Sequence, residues 1–343
     1  MKRAWLLHDR VGPDSPPDDL DVLEQVAAVE SALAALGWGV EVVPCDLNLS
    51  PLAERLRSER PELCFNLVES LGGHGRLAAV VPGLLEAMGV RFTGSGSAAL
   101  FTATHKTLCK RLLRSAGVAT PEWFEATDLA ARRETGEVLG TRVEHSGDDR
   151  RSVAGRWIVK SVWEHASRGL DEDSVIEVGG GAIGARALGD ALASRRESLG
   201  GEGFVERYIE GREFNIAVLS GRVLPLAEML FEGYAADRPR VMGYRAKWDE
   251  SAPAYRDTVR RFIGAEEPTL AGAIRDVVSK CWSVFGLRGW ARVDLRIDTH
   301  GVPWVIDVNA NPCLSLGAGF AVAALQSGLT FDDAIARIVE DAG

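Results

Sequence analysis

The stretch GWARVDLRID, Gly289 to Asp298, and the stretch VPWVIDVNANPCLS that follows it, Val302 to Ser315, decide how this chain is read. Side chains alternate between faces along a strand. Arg292, Asp294 and Arg296 therefore share one face of the first segment, and Asp307 and Asn309 share one face of the second. The THG between them is a turn, so the two segments are expected to pair as a hairpin. Two carboxylates, an amide oxygen and a guanidinium then converge. A salt-bridged hairpin is the plain structural account. Carboxylates on an inner face are costly, however, unless something positive lies between them. Oxygen-only donors suit Mg²⁺, which completes its shell with phosphate oxygens and water. The spacing favours the metal site.

Upstream, FVERYI (204–209), EFNIAVLSG (213–221) and RVLPLAEML (222–230) read as strands joined by tight turns, expected to form one antiparallel sheet. Residues 268–285 carry helical spacing, and 317–339 are mostly helical. At the N-terminal end, residues 3–8 read as a buried strand. Val22, Val26, Val29, Leu33 and Leu36, three or four apart, mark an amphipathic helix over 21–36. Strands at 40–45 and 63–69 and a helix over 77–88 follow. This order predicts an open α/β sheet with parallel strands, ending near residue 100. A helix over 104–115 and strands at WF and WIVKSV come next. Between those strands, residues 126–156 are charged and poor in large apolar clusters, and read as a surface excursion, part of a lid. The run GGGAIGA (179–185) lacks the GxxxxGK[ST] pattern and reads as a flexible turn before a helix over 185–198. Three divisions are expected: 1–100, 101–202 and 203–343.

The 343 residues carry 39 Lys+Arg against 49 Asp+Glu, a net charge of −10. Such a chain lacks the basic footprint that nucleic acid requires. No apolar run approaches the ~18 residues of a membrane span, and the apolar stretch near the start is too short for a secretory signal. Cysteines 45, 64, 109, 281 and 313 are odd in number and scattered, as expected of reduced thiols in a cytoplasmic protein. Singly, several further residues are ordinary. Lys160 ends an apolar strand, Lys106 opens a helix, and Glu206 and Glu213 flank a turn. A helix N-terminus and a tight turn with free N–H groups are also places where phosphate binds.

Taken together, VRFTGSG, THKTLCKRLLRSAGVATP, WIVKSVWEHASRG, FVERYIEGREFNIAVL, RAKW and the final pair GWARVDLRID and VIDVNANPCLS resemble, in order and spacing, the ATP-grasp superfamily, and within it the D-alanine–D-alanine ligase family. The resemblance implies an α/β chain with two α+β subdomains gripping ATP, preceded by the open parallel-sheet domain. It implies that Lys106 and Lys160 hold the α- and β-phosphates, that Ala166 to Gly169, including Ser167, close over them, and that Lys247 reaches the γ-phosphate. Glu206, Arg207 and Ile209 match the adenine-binding linker, and Glu213 the ribose-binding carboxylate. Asp294, Asp307 and Asn309 match the ligands of Mg²⁺, or of Mn²⁺ in its place, with Asp307 where Glu is more usual. Arg292 matches the arginine that stabilises the transition state.

The substrate end departs from the family. The family's serine and glutamate near the first helix are missing, and Asp21 is the nearest acidic residue. Glu69 stands where a histidine is usual; it either suits an ammonium group or faces water. Ser315 and Leu316 sit at the serine–leucine pair that meets the second substrate. The resemblance implies a carboxylate–amine ligase acting through an acyl phosphate on amino acids or peptides, D-alanine among them. The alternatives are a ligase of other amino acids or peptides, a non-catalytic ATP-binding regulator, and a carboxylate kinase. Family members are commonly dimers, so a homodimer is implied as well.

Overall fold

The structure is a computed structural model that describes residues 2–135, 153–164, 167–235, 237–249, 251–264 and 266–343. Most of the expected surface excursion over 126–156, and Ala166 of the phosphate loop, lie outside the described residues.

In chain order the elements are β1 (Lys2–Asp9), α1 (Pro17–Ala35), β2 (Trp38–Cys45), α2 (Ser50–Glu59), β3 (Leu63–Asn66), α3 (Val80–Met88), α4 (Ser97–Thr104) and α5 (Lys106–Ser115). Then come β4 (Trp123–Glu125), α6 (Ala126–Thr135), β5 (Gly155–Ser161), β6 (Val175–Val178), α7 (Gly181–Ser194) and β7 (Gly203–Arg207). They are followed by β8 (Arg212–Leu219), β9 (Arg222–Val223), β10 (Ala227–Phe231), α8 (Tyr244–Trp248), α9 (Pro253–Asp257) and β11 (Thr258–Phe262). The chain finishes with α10 (Pro268–Phe285), β12 (Trp290–Ile297), β13 (Pro303–Asn309), α11 (Gly319–Gln326) and α12 (Phe331–Glu340).

Contacts divide the chain into two compact units that interleave in sequence. The first takes Met1–Thr120, Gly211–Leu230 and Val259–Gly343; the second takes Pro121–Glu210 and Phe231–Thr258.

In the first unit β2, β1 and β3 form the expected parallel sheet in that order. Ala4 to Leu7 of β1 are buried without a break, as a strand covered on both faces requires. The crossover from β2 to β3 runs through α2, which the sequence reading left out. It buries only Leu52 and Leu56, a stripe too thin to read as a helix. The helix expected from residue 77 is regular only from Val80, behind a short 3-10 turn.

A second sheet of the first unit has the order β11-β10-β8-β12-β13, with β9 paired to β8. Its one face buries Phe214 and Leu295 against α10 in a core that also holds Ile274, Val278 and Phe285. On the other face Trp290 and Leu219 are partners in register, and Trp290 stacks on Phe65 of β3 at 5.7 Å. Farther along that second face the residues turn charged.

In the second unit, β4-β7-β5-β6 make a four-stranded sheet. Its core gathers Trp157, Val159, Val205, Ala185 and Leu188. The expectation that FVERYI joins EFNIAVL in one sheet is corrected here. The chain leaves β7 and enters the other sheet at Gly211, whose φ is +145° and where a Cβ would stand 1.9 Å from the Ile297 carbonyl oxygen. Only glycine passes that point. The GGGAIGA run is also corrected in part: α7 starts within it, at Gly181.

Candidate active site

The hairpin forms as the alternation predicts. Arg292 stands opposite Asn309 and Asp294 opposite Asp307, with a register shift just after Asp294. On the other side of β12, Arg292 faces Ala217, Asp294 faces Asn215 and Arg296 faces Glu213. Two carboxylates side by side across strands repel. Arg292 relieves one of them: its Nε and Nη2 donate to Asp294 at 2.7 and 2.9 Å. Burial alone would lower the Arg292 pKa, but Asp294 and Asp307 hold the guanidinium more firmly protonated than usual.

Among the described residues no three His, Cys, Asp or Glu side chains gather as a metal cluster. The donors here are two carboxylates and an amide, the set for a hard cation that keeps part of its shell for phosphate and water. Arg292 leaves lone pairs on Asp294, since a carboxylate offers about four. The residues fit Mg²⁺. Asn215 joins this row unforeseen, although alternation along EFNIAVL already placed it on one face with Glu213. Glu213 itself holds Arg296 at 2.9 Å, a pair nearly excluded from water.

Lys106 starts α5, behind His105, whose Nδ1 accepts the Leu108 N–H at 3.3 Å. Burial and the Asp307 charge both push the Cys109 thiol up, so this helix lies within electrostatic reach of the hairpin. Lys110, one turn on, is buried and donates to Thr120 at 2.6 Å.

The substrate end is gathered from distant parts of the first unit. Gln25 donates to Asp21 at 3.1 Å and to Glu69 at 3.3 Å, and accepts the Leu314 N–H at 3.0 Å. Ser315 and Cys313 both donate to Asp21, each at 2.9 Å. Asp9 accepts the N–H groups of Glu69 and Ser70 and the Ser70 hydroxyl. Asp21, Glu69 and Ser315 thus come together, while Leu316 is 63% exposed. Glu69 is half-buried. Burial, then Asp9, raise its pKa to about 8, and burial raises Asp9 to about 6. Gln25 and Asp9 were missed. Gln25 follows Asp21 by one helical turn, a signal present in the sequence; Asp9 reaches Glu69 only through the parallel sheet.

In the second unit, Lys160 pairs with Glu206 at 2.5 Å, and the Glu206 side chain is only 2% exposed. Arg207 lays its guanidinium over Trp157 at 4.4 Å. The N–H groups of Arg207 and Tyr208 bond to Glu122 and Arg156, while that of Ile209 has no partner among the described residues. Ser167 has φ +64° and donates to the Met242 carbonyl at 3.0 Å. At Gly169 a Cβ would lie 2.5 Å from the Ser198 carbonyl oxygen. The Tyr244 N–H bonds to Leu170 O at 2.7 Å, tying the helix that bears Lys247 to this loop.

All five cysteines are free, and no described helix is long and apolar enough to cross a membrane.

The model of the D-ala D-ala ligase C-terminus matches residues 188–340. A D-alanine–D-alanine ligase of Synechococcus sp. (strain JA-3-3Ab) is 32% identical over 324 residues, 92% of this chain and 87% of that protein. Two solved structures share the fold, both D-alanine–D-alanine ligases of Bacillus anthracis. One has a TM-score of 0.69 at 18% identity and covers 99% of this chain and 97% of its own. The other, complexed with ATP, has a TM-score of 0.68 at 17% identity and covers 99% and 96%.

Proposed function

Because the chain belongs to the D-alanine–D-alanine ligase family, we propose that it activates the carboxylate of one amino acid with ATP and joins it to the amine of a second, D-alanine being the first pair to test. The fold is that of the ATP-grasp ligases, and the protein is an ATP-dependent ligase forming a C–N bond of peptide type.

A carboxylate is a poor electrophile. Its oxygen attacks the γ-phosphorus of ATP, the bond to ADP breaks, and an acyl phosphate forms. The acceptor amine's lone pair then attacks the acyl carbon. The tetrahedral oxyanion collapses with loss of phosphate, and the amine's surplus proton passes to solvent. Arg292, clamped by Asp294, is the fixed donor proposed for that oxyanion. Asp294, Asp307 and Asn309 would hold Mg²⁺, which when bound neutralises charge on the transferring phosphoryl group.

Lys106 and Lys160 are proposed for the α- and β-phosphates and Lys247 for the γ-phosphate. Ser167 and Gly169 supply a backbone loop over them, its turn fixed by the positive φ angles. Ile209 offers its N–H to adenine, beside Glu206 and Arg207, and Glu213 takes the ribose hydroxyls. Asp21 and Glu69 are proposed for the donor's ammonium, which would draw the proton off Glu69. Ser315 and Leu316 flank the second substrate. The free thiols support a cytoplasmic setting, and a homodimer is part of the same reading.

The observation that carries this reading is the register that sets Arg292–Asp294 against Asn309–Asp307. The experiment is phosphate release with ATP and Mg²⁺, screened against D- and L-amino acids and short peptides. Release that needs both an acid and an amine is expected. Acyl phosphate trapped by hydroxylamine, with no response to any amine, would mean a carboxylate kinase instead. No release with any pair overturns the ligase.

A further inference from the structure

Six arginines lie on the strands of the second sheet of the first unit, and four of them hold a carboxylate: Arg212 and Arg261 with Glu228, Arg292 with Asp294, Arg296 with Glu213. Arg260 has no hydrogen bond or ion pair among the described residues. Its direction follows from register. Glu228 stands opposite Phe214, which stands opposite Leu295, so Glu228 and its partner Arg261 belong to the face that packs on α10. Arg260, one residue earlier on β11, belongs to the face of Arg292, Asp294 and Arg296. There it reaches the start of α11: a Cβ at Gly319 would lie 3.6 Å from its Nη2. Burial and the nearby Arg292 both pull the Arg260 pKa down, as two desolvated like charges do.

A ligase that joins two amino acids meets a second carboxylate, the acceptor's own, which must be held and not activated. We propose that Arg260 is the residue that binds that carboxylate. The inference rests on the ligase reading. Guanidinium and carboxylate match as a planar fork, and the Nε/Nη2 edge of Arg292 is already taken by Asp294.

The test is steady-state phosphate release with each amino acid that serves as acceptor, D-alanine first, against its carboxamide. The wild type is compared with Arg260→Gln and Arg260→Lys. The wild type is expected to favour the acid over the amide by about a hundredfold or more in kcat/KM. Arg260→Gln is expected to raise the acceptor KM by tenfold or more for the acid alone, leaving the ATP KM in place, and Arg260→Lys to recover part of it. A structural role would lower acid and amide together. An unchanged acid-to-amide ratio in Arg260→Gln, or a wild type indifferent to the amide, overturns the proposal and leaves the ligase standing. Absence of amine-dependent release in the wild type brings down the ligase reading, and this one with it.

Discussion

At Arg292 one side chain carries two duties. It neutralises Asp294 in a row where Asp307 stands alongside, and it is the fixed donor proposed for the oxyanion on the reacting carbon. A preorganised donor of this kind is worth roughly 3–4 kcal/mol. Arg292→Ala should therefore lower kcat by about two to three orders of magnitude while the ATP KM moves little, as steady-state kinetics will read. Equal turnover in the variant removes Arg292 from the chemistry. Glu69 has the opposite electrostatic character. With a folded pKa raised to about 8, it binds its proton more tightly folded than unfolded. Its contribution to stability is complete below the ordinary value of 4.5 and is lost as pH rises through 8. Asp9, raised to about 6, adds a smaller loss in the same direction. The urea midpoint of the wild type should fall between about pH 5 and 8, and Glu69→Gln should flatten that fall. An unaltered slope would rule Glu69 out as its source.

Between elements, pairing decides what a charge costs. Ile158 of β5 is the register partner of Glu206 on β7, so Lys160, two residues along, is its diagonal neighbour on the same face. Removing one partner of such a buried pair strands the other; the typical loss is about 3–5 kcal/mol. Lys160→Met should destabilise the second unit by that order. Lys160→Met with Glu206→Gln should recover most of the urea midpoint yet stay deficient in ATP binding measured by calorimetry. If the double variant binds ATP normally, neither residue belongs to the nucleotide site. Legibility in the sequence followed element type. The hairpin could be read because apolar and polar residues alternate without a fault from Ala291 to Ile297. FVERYI was put in the wrong sheet because a tight turn and a crossing between sheets both ask for glycine, and Gly211 serves the second. The contact of Asp9 with Glu69 could not be read, since it depends on a parallel register spanning more than fifty residues of chain.

For the whole molecule, the order of the chain and the order of packing differ. The expected divisions at 100 and 202 follow the sequence, whereas the first compact unit draws on three separate segments. Its central strand β8 lies between β10 and β12, and Phe214, Ile216 and Val218 are buried in the core that β12 and α10 complete. The second unit draws both of its segments from before residue 259 and keeps its own core around Trp157 and Val205. A fragment ending at Thr258 therefore loses β12, β13 and α10 while keeping every segment of the second unit. Its β8 has one side of the ladder open and three large apolar side chains in water. Hydrogen exchange should show fast exchange through Arg212–Leu219 in the fragment, with Gly155–Ser161 and Gly203–Arg207 still protected. Protection of β8 in the fragment would mean that the first unit does not depend on its late strands, and the case for a site assembled on β8 and β12 together would fail.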